Sequence, residues 1–137
     1  MPSGREPARA LIAAVTGSSA GSFTELPDDL PGVSDGPLGW PGYGSALTAA
    51  ADRTGERESV VCGVASIGAV SAVVVAFEFG FLGGSLGTRT GTRIEAAFAH
   101  ARSARLPVVS LVATGGSRMQ EGTPALTQLQ RIARSSR

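Results

Sequence analysis

The 137 residues carry a net charge of +1, 19 glycines, 8 prolines and 5% aromatic side chains, and every one of the 12 basic residues is Arg. The absence of Lys excludes a P-loop lysine, a Schiff-base lysine and a biotin-carrying lysine on this chain, and the single cysteine, Cys62, excludes an intrachain disulfide and a cysteine-rich zinc site. A 42% apolar content in one modest domain's length fits an ordered globular protein, and the small net charge gives no strong pull towards nucleic acid or an anionic membrane. A cytoplasmic location suits this composition.

Residues 5–16 read as a short helix with Ala8, Leu11, Ile12 and Val15 on one face. A Gly/Ser loop follows over 16–21, and 22–44 is rich in Pro, Gly and Asp, where little regular structure is expected. The Ala-rich stretch 45–53 reads as a helix stopped near Gly55. Residues 59–77 form a charge-free run long enough for a membrane span. Seven valines between Val60 and Val75, and the interruptions at Gly63, Ser66, Gly68 and Ser71, favour two strands, 59–66 and 70–78, around a turn at Ile67-Gly68-Ala69.

A glycine-dense loop over 77–87 leads into a helix over 90–104, whose apolar stripe is Ile94, Ala97, Phe98 and Ala101. Pro107 opens a strand over 108–113, ended by Gly115-Gly116. A last helix starts at Thr123-Pro124 and places Leu126, Leu129 and Ile132 on one face. The order strand, strand, helix, strand, helix fits an α/β layer. Charge is divided along the chain: 1–58 hold eight acids and four Arg, for −4, and 59–137 hold three acids and eight Arg, for +5. The positive rear part is either a solvated surface or a place to meet an anionic ligand such as a phosphate.

No Ser/His/Asp set, metal-ligand cluster, P-loop or dinucleotide-binding pattern is present. His100, the only histidine, lies off its helix's apolar stripe and reads as solvent-facing. Glu78 and Glu121 flank glycine-rich turns, where a carboxylate serves either as acid or base or as a cap or salt-bridge partner. What remains is backbone chemistry. A strand that ends in Gly-Gly and feeds a helix aims free N–H groups at one spot, where an oxyanion can be held. Val108 to Gln120 has that arrangement, and the same residues also read as a plain strand-to-helix turn.

Two blocks carry a sharper signal. Phe77-Glu78-Phe79-Gly80-Phe81-Leu82-Gly83-Gly84-Ser85-Leu86-Gly87 resembles the F-E-F-x-F-x-G-G-S-x-G block of the biotin-dependent carboxyltransferase family. Thr114-Gly115-Gly116-Ser117-Arg118-Met119-Gln120-Glu121-Gly122 resembles that family's S-G-G-x-R-M-Q-E-G block, at a similar separation. Gly21 to Glu25, Pro37-Leu38 and Thr54-Gly55-Glu56 are similar to its N-terminal landmarks, so the likeness runs from about residue 5 to about residue 133. The motifs resemble those of the acetyl-CoA carboxylase β-type subunit, and they are also similar to those of bacterial chains that fuse β-type and α-type halves.

The resemblance implies a crotonase-like fold (ClpP/crotonase superfamily), a spiral of β-β-α units of which this is the N-terminal part. It divides the chain into 1–44, a helix and a Pro/Gly-rich segment, and 45–137, a partial carboxyltransferase domain. It implies transfer of carboxylate from carboxybiotin on a separate carrier protein to a coenzyme A thioester, acetyl-CoA, giving malonyl-CoA, with no metal on this chain. Gly115 and Gly116 are the implied oxyanion donors. Phe81, Gly83, Gly84, Ser85, Gly87, Ser117, Arg118, Met119 and Gln120 are the implied substrate-binding residues. The implied partners are an α-type half and the biotin carboxyl carrier protein, in a homo- or hetero-oligomer, without nucleic acid or membrane.

Three departures stand out: the four-cysteine zinc ribbon of many β-type subunits has no counterpart here, Ser117 stands where Ala is frequent, and the family domain continues past the last helix. They bring two other expectations into view. One is a non-catalytic fragment whose Leu126, Leu129 and Ile132 form an exposed apolar face. The other is a malonyl thioester decarboxylase on the same fold.

Overall fold

The computed structural model describes residues 5–28 and 36–137. Its elements are α1 (Ala8–Thr16), β1 (Thr24–Glu25), α2 (Tyr43–Thr54), β2 (Val60–Ile67), β3 (Val70–Phe77), α3 (Thr88–Ala104), β4 (Val108–Leu111), α4 (Thr123–Leu126) and α5 (Gln128–Ser135). Short 3-10 turns lie at Gly17–Ser22, Leu82–Gly84 and Met119–Glu121. The expected irregular segment 22–44 thus contains a short strand and the first residues of α2, and its middle, 29–35, lies outside the described residues. Elsewhere the expected elements are present with shifted ends: α2 begins before Ser45, α3 before Thr90, and β4 stops short of Ala113.

The sheet has the order β1-β2-β3-β4, antiparallel for the first two pairings and parallel for the last. The valine-rich run is the hairpin of β2 and β3, paired from Val60↔Phe77 to Ile67↔Val70. Its turn is Gly68-Ala69, with Gly68 at φ 62°, as two-residue hairpin turns of type II′ require at their first position. Alternation explains why this run lacks charge. Val60, Cys62, Val73, Val75 and Phe77 pack on one face with Leu86, Ile94, Ala97 and Ala101, beneath α3. Val61, Ala65, Val74 and Ala76 pack on the other with Ala8 and Ile12 of α1. A strand buried on both faces reads as a continuous apolar stretch. No helix among the described residues is long and apolar enough to cross a membrane. Burial pushes the Cys62 thiol up to about 12, so it stays protonated in the core.

The charge asymmetry closes on itself. Asp28 from the acidic front pairs with Arg89 and Arg93 of α3, and Glu58 pairs with Arg118. These rear arginines meet carboxylates of this chain, so they do not form the anion-binding surface that the asymmetry suggested.

The last helix departs from its expected single stripe. The helical run is interrupted at Thr127, which stays near helical geometry and whose hydroxyl donates to Pro124 O at 2.8 Å, and α5 follows. Ile132 packs onto the core beneath α3, while Leu126 and Leu129 remain 63% and 55% exposed. Docking of α5 on α3 relies on Gly91. A Cβ there would lie 1.9 Å from Gln128 Oε1 and 3.2 Å from Gln128 Cβ, and Gln128 is itself buried, with Nε2 donating to Pro124 O.

Gly91→Ala therefore loses stability by overpacking, about 1–3 kcal/mol, against a helix-propensity gain of about 1 kcal/mol. Urea denaturation should show a net loss, and adding Gln128→Ala should recover part of it.

Candidate active site

Because β3 and β4 are parallel, the loops that follow them leave the same edge of the sheet, and those loops are the two glycine blocks. They bond directly to each other. Gly115 N–H donates to Gly83 O at 2.9 Å, Leu86 N–H donates to Gly116 O at 2.8 Å, and Arg118 N–H donates to Leu86 O at 2.9 Å. A parallel bridge pairs Leu86 with Ser117. In the first block Leu82, Gly83 and Gly84 all have positive φ, at 47°, 67° and 65°. This left-handed turn carries the chain so close to the second block that a Cβ on Gly84 would sit 2.1 Å from Ala113 O. A Cβ on Gly83 or on Gly116 (φ 105°) would instead meet nothing within 4 Å, so open space lies over both.

Beneath this cradle is a buried ionic network centred on Arg118, which is 1% exposed. Its Nη2 donates to Glu58 Oε1 at 2.6 Å and to Ser85 O at 2.8 Å, and its Nε donates to Ser85 Oγ at 3.0 Å. Its Nη1 faces Tyr43 Oη at 3.2 Å, Glu58 Oε2 at 3.2 Å and Glu121 Oε2 at 3.3 Å. Tyr43 Oη donates to Glu121 Oε2 at 2.5 Å. One cation among two carboxylates leaves an excess negative charge. It is met at the start of α3, where Thr88 N–H donates to Glu121 Oε1 at 2.8 Å and the helix dipole favours an anion. Gly87 makes room for the arrangement, since a Cβ there would lie 2.2 Å from Glu121 Oε2 and 2.8 Å from Arg118 Nη1.

The electrostatics follow from these distances. Burial works against Glu121's charge, but the Tyr43 hydroxyl, Thr88 and Arg118 hold its carboxyl below the ordinary value. Burial, and then the Glu121 carboxylate, push the Tyr43 phenol up. Burial opposes the Arg118 charge, yet Glu58 raises its pKa above the usual arginine value. The role left open for the two glutamates falls on the capping and ion-pair side. Glu121 caps α3 and pairs with Arg118, and Glu78 Oε2 accepts the Ala8 N–H at the start of α1 at 2.8 Å while Oε1 accepts Gly80 N–H at 3.0 Å.

The site residues expected from sequence thus come together, in two layers. Phe81, Gly84, Gly87 and Arg118 are buried and shape the turns, the Arg118 guanidinium lying 5.7 Å from the Phe81 ring centroid. Gly83, Ser85, Gly115, Gly116, Ser117, Met119 and Gln120 are at least partly open, Met119 being 73% exposed. The two oxyanion candidates differ. The Gly115 N–H is engaged by Gly83 O, whereas the Gly116 N–H meets only the Thr114 hydroxyl, at 3.1 Å, which can rotate away. His100 is exposed on α3, about 18 Å along the helix from Thr88 at ~1.5 Å per residue. Sequence reasoning missed Tyr43 and Glu58. Neither belongs to a spaced motif, and the only signal was a glutamate directly before the apolar β2 run.

Comparison with known proteins follows the same residues. The family model for the carboxyl transferase domain matches residues 40–137. The chain is 42% identical over 118 residues to the acetyl-coenzyme A carboxylase carboxyl transferase subunits beta/alpha of Salinispora arenicola, covering 84% of this chain and 20% of that protein. It is 38% identical over 101 residues to the carboxyl transferase subunit beta 2 of Lachnospira eligens, covering 74% and 40%. The chain therefore spans between a fifth and less than half of the length of these relatives. Among solved structures, transcarboxylase 12S superposes with a TM-score of 0.75 at 20% identity, over 96% of this chain and 23% of that one. A Pseudomonas malonate decarboxylase hetero-tetramer in complex with malonate superposes with a TM-score of 0.65 at 28% identity, over 95% and 45%. The β2-β3-α3 unit followed by β4 is thus a portion of the crotonase-like fold that the motifs implied.

The depressed Glu121 pKa makes stability depend on acid. The unfolded chain takes up this proton first, so the contribution is complete above pH 4.5 and falls as pH drops below it. Urea unfolding at neutral and acidic pH should show that slope, and Glu121→Gln should flatten it.

Proposed function

The chain belongs to the carboxyl transferase domain family, and from that premise we propose that its glycine cradle is part of the acyl-CoA site of a biotin-dependent carboxyltransferase acting on acetyl-CoA. The observation that carries this reading is the direct bonding of the two blocks, Gly115 to Gly83 and Leu86 to Gly116 and Arg118, beneath an open face at Gly83 and Gly116. A thioester carbonyl can approach there without meeting a side chain.

In this reading the Gly116 N–H turns from Thr114 Oγ1 to the thioester oxygen and holds the charge that develops when the α-carbon loses its proton. Gly115, already bonded to Gly83 O, keeps the turn in place. Gly83, Ser85, Ser117, Met119 and Gln120 line the opening, and the buried Phe81, Gly84, Gly87 and Arg118 hold its shape. Carboxybiotin, presented by its carrier, would supply the carboxylate to the α-carbon, and its ureido group would take the proton that the α-carbon loses. The work is done by backbone amides, which is compatible with a chain that has no Lys and an exposed, remote His100. The full reaction is proposed for a cytoplasmic assembly that includes an α-type half and the biotin carboxyl carrier protein. Likeness to the malonate decarboxylase hetero-tetramer, at 28% identity, favours decarboxylation of a malonyl thioester as the second reading.

The test combines the chain with an α-type partner, carboxylated carrier and acetyl-CoA, and follows malonyl-CoA formation. Gly116→Ala, at a φ of 105° that only glycine adopts readily, should lower turnover on the order of 10²-fold. No turnover with any partner overturns the enzyme reading. Consumption of a malonyl thioester without carrier selects the decarboxylase.

A further inference from the structure

We propose that Tyr43 is a positioning residue of the glycine cradle, acting through Arg118; what the cradle then binds rests on the function proposed above. Tyr43 opens α2 directly after Gly42, which turns the chain at φ 79°. Its ring packs against the backbone at Gly36, where a Cβ would lie 2.9 Å from two ring carbons, and the residue is 2% exposed. The depth of the ring is therefore set by packing, and the hydroxyl reaches one place only, between Glu121 Oε2 at 2.5 Å and Arg118 Nη1 at 3.2 Å.

A phenol both donates and accepts, so one oxygen here binds the anion and the cation together. Without it, Glu58 holds the stronger claim on the guanidinium, since its two oxygens already accept from Nη2 at 2.6 Å and Nη1 at 3.2 Å. Rotation of the guanidinium towards Glu58 moves Nε and Nη2, which hold Ser85 Oγ and Ser85 O at 3.0 and 2.8 Å. Ser85 follows Gly83-Gly84 and precedes Leu86, the residue that pairs with Gly116 and Arg118. A hydroxyl on α2 thus sets the register of one glycine turn against the other, acting through two side chains of the second block and not on the glycines themselves.

Tyr43→Phe tests this, because the ring and its packing stay and only the oxygen is removed. Val61→Ala, in the core on the opposite face of the sheet, serves as a control matched for loss of thermal midpoint. The signature is the Arg118 Nε–H resonance in ¹⁵N spectra of the full chain. Y43F should exchange this proton with water at least tenfold faster than V61A does, and should shift the Ser85, Gly116 and Ser117 amides, which V61A leaves in place. Acetyl-CoA, titrated against the same amides, should bind at least tenfold more weakly to Y43F than to V61A. Equal exchange and equal shifts in the two variants overturn the proposal and leave Tyr43 as packing alone. If the unaltered chain takes up no acetyl-CoA while the Arg118 signal responds as described, the functional reading falls and the positioning role stands. Should Y43F unfold in buffer, both variants are compared in trimethylamine N-oxide, which favours the compact state.

Discussion

The pairing of Arg118 with Glu58 and Glu121 is the interaction on which the rest depends. It is costly to bury, and it is tolerable because the guanidinium finds acceptors in four residues: Glu58, Glu121, Tyr43 and Ser85. Those acceptors come from α2, from the strand-entry loop before β2 and from both glycine blocks, so the ion pair ties four segments together at one point. An apolar side chain of similar size would fill the volume without specifying where each turn lies. Fixing one arrangement among several compact ones is a use to which a buried charge is well suited.

The sheet supplies the frame. Valines on both faces of β2 and β3 make the hairpin rigid and dry, and the parallel pairing of β3 with β4 brings two loops, distant in sequence, to one edge. Glycine then decides how closely those loops approach. At Gly84 and Gly87 the space is occupied by the opposite loop and by the ionic network, whereas at Gly83 and Gly116 it is left empty. Residues of one type in one motif therefore divide into those that close the structure and those that keep it open, a division that spacing alone does not encode.

That division marks how far the sequence was legible. The hairpin could be read because β-branched residues in a charge-free run, broken at Gly68, have few other solutions. The meeting of the two blocks followed from their likeness to a known family. The separate fates of Leu126, Leu129 and Ile132 were not visible, because all three keep a helical spacing and only tertiary packing decides which of them the core covers. Tyr43 and Glu58 were invisible for a related reason: their partners lie 78 and 60 residues away, and no local pattern reports a tertiary ion pair. The divided charge was read as an outward-facing property when much of it is internal, with Asp28 and Glu58 neutralising arginines of the opposite half.

The reach of these bonds has a consequence for how the molecule is made. Glu78 caps α1 across 70 residues, and Tyr43 waits for Glu121 across 78. Contacts so distant along the chain are slow to form, because the loop between them must close before any bond rewards it. During synthesis, α2 and the first glycine block emerge well before the segment that organises them, and Glu58 passes that interval without its arginine. The hairpin can condense early on local pairing alone, whereas the cradle is assembled only once residue 121 is free of the ribosome, well after the sheet's first strands can pair.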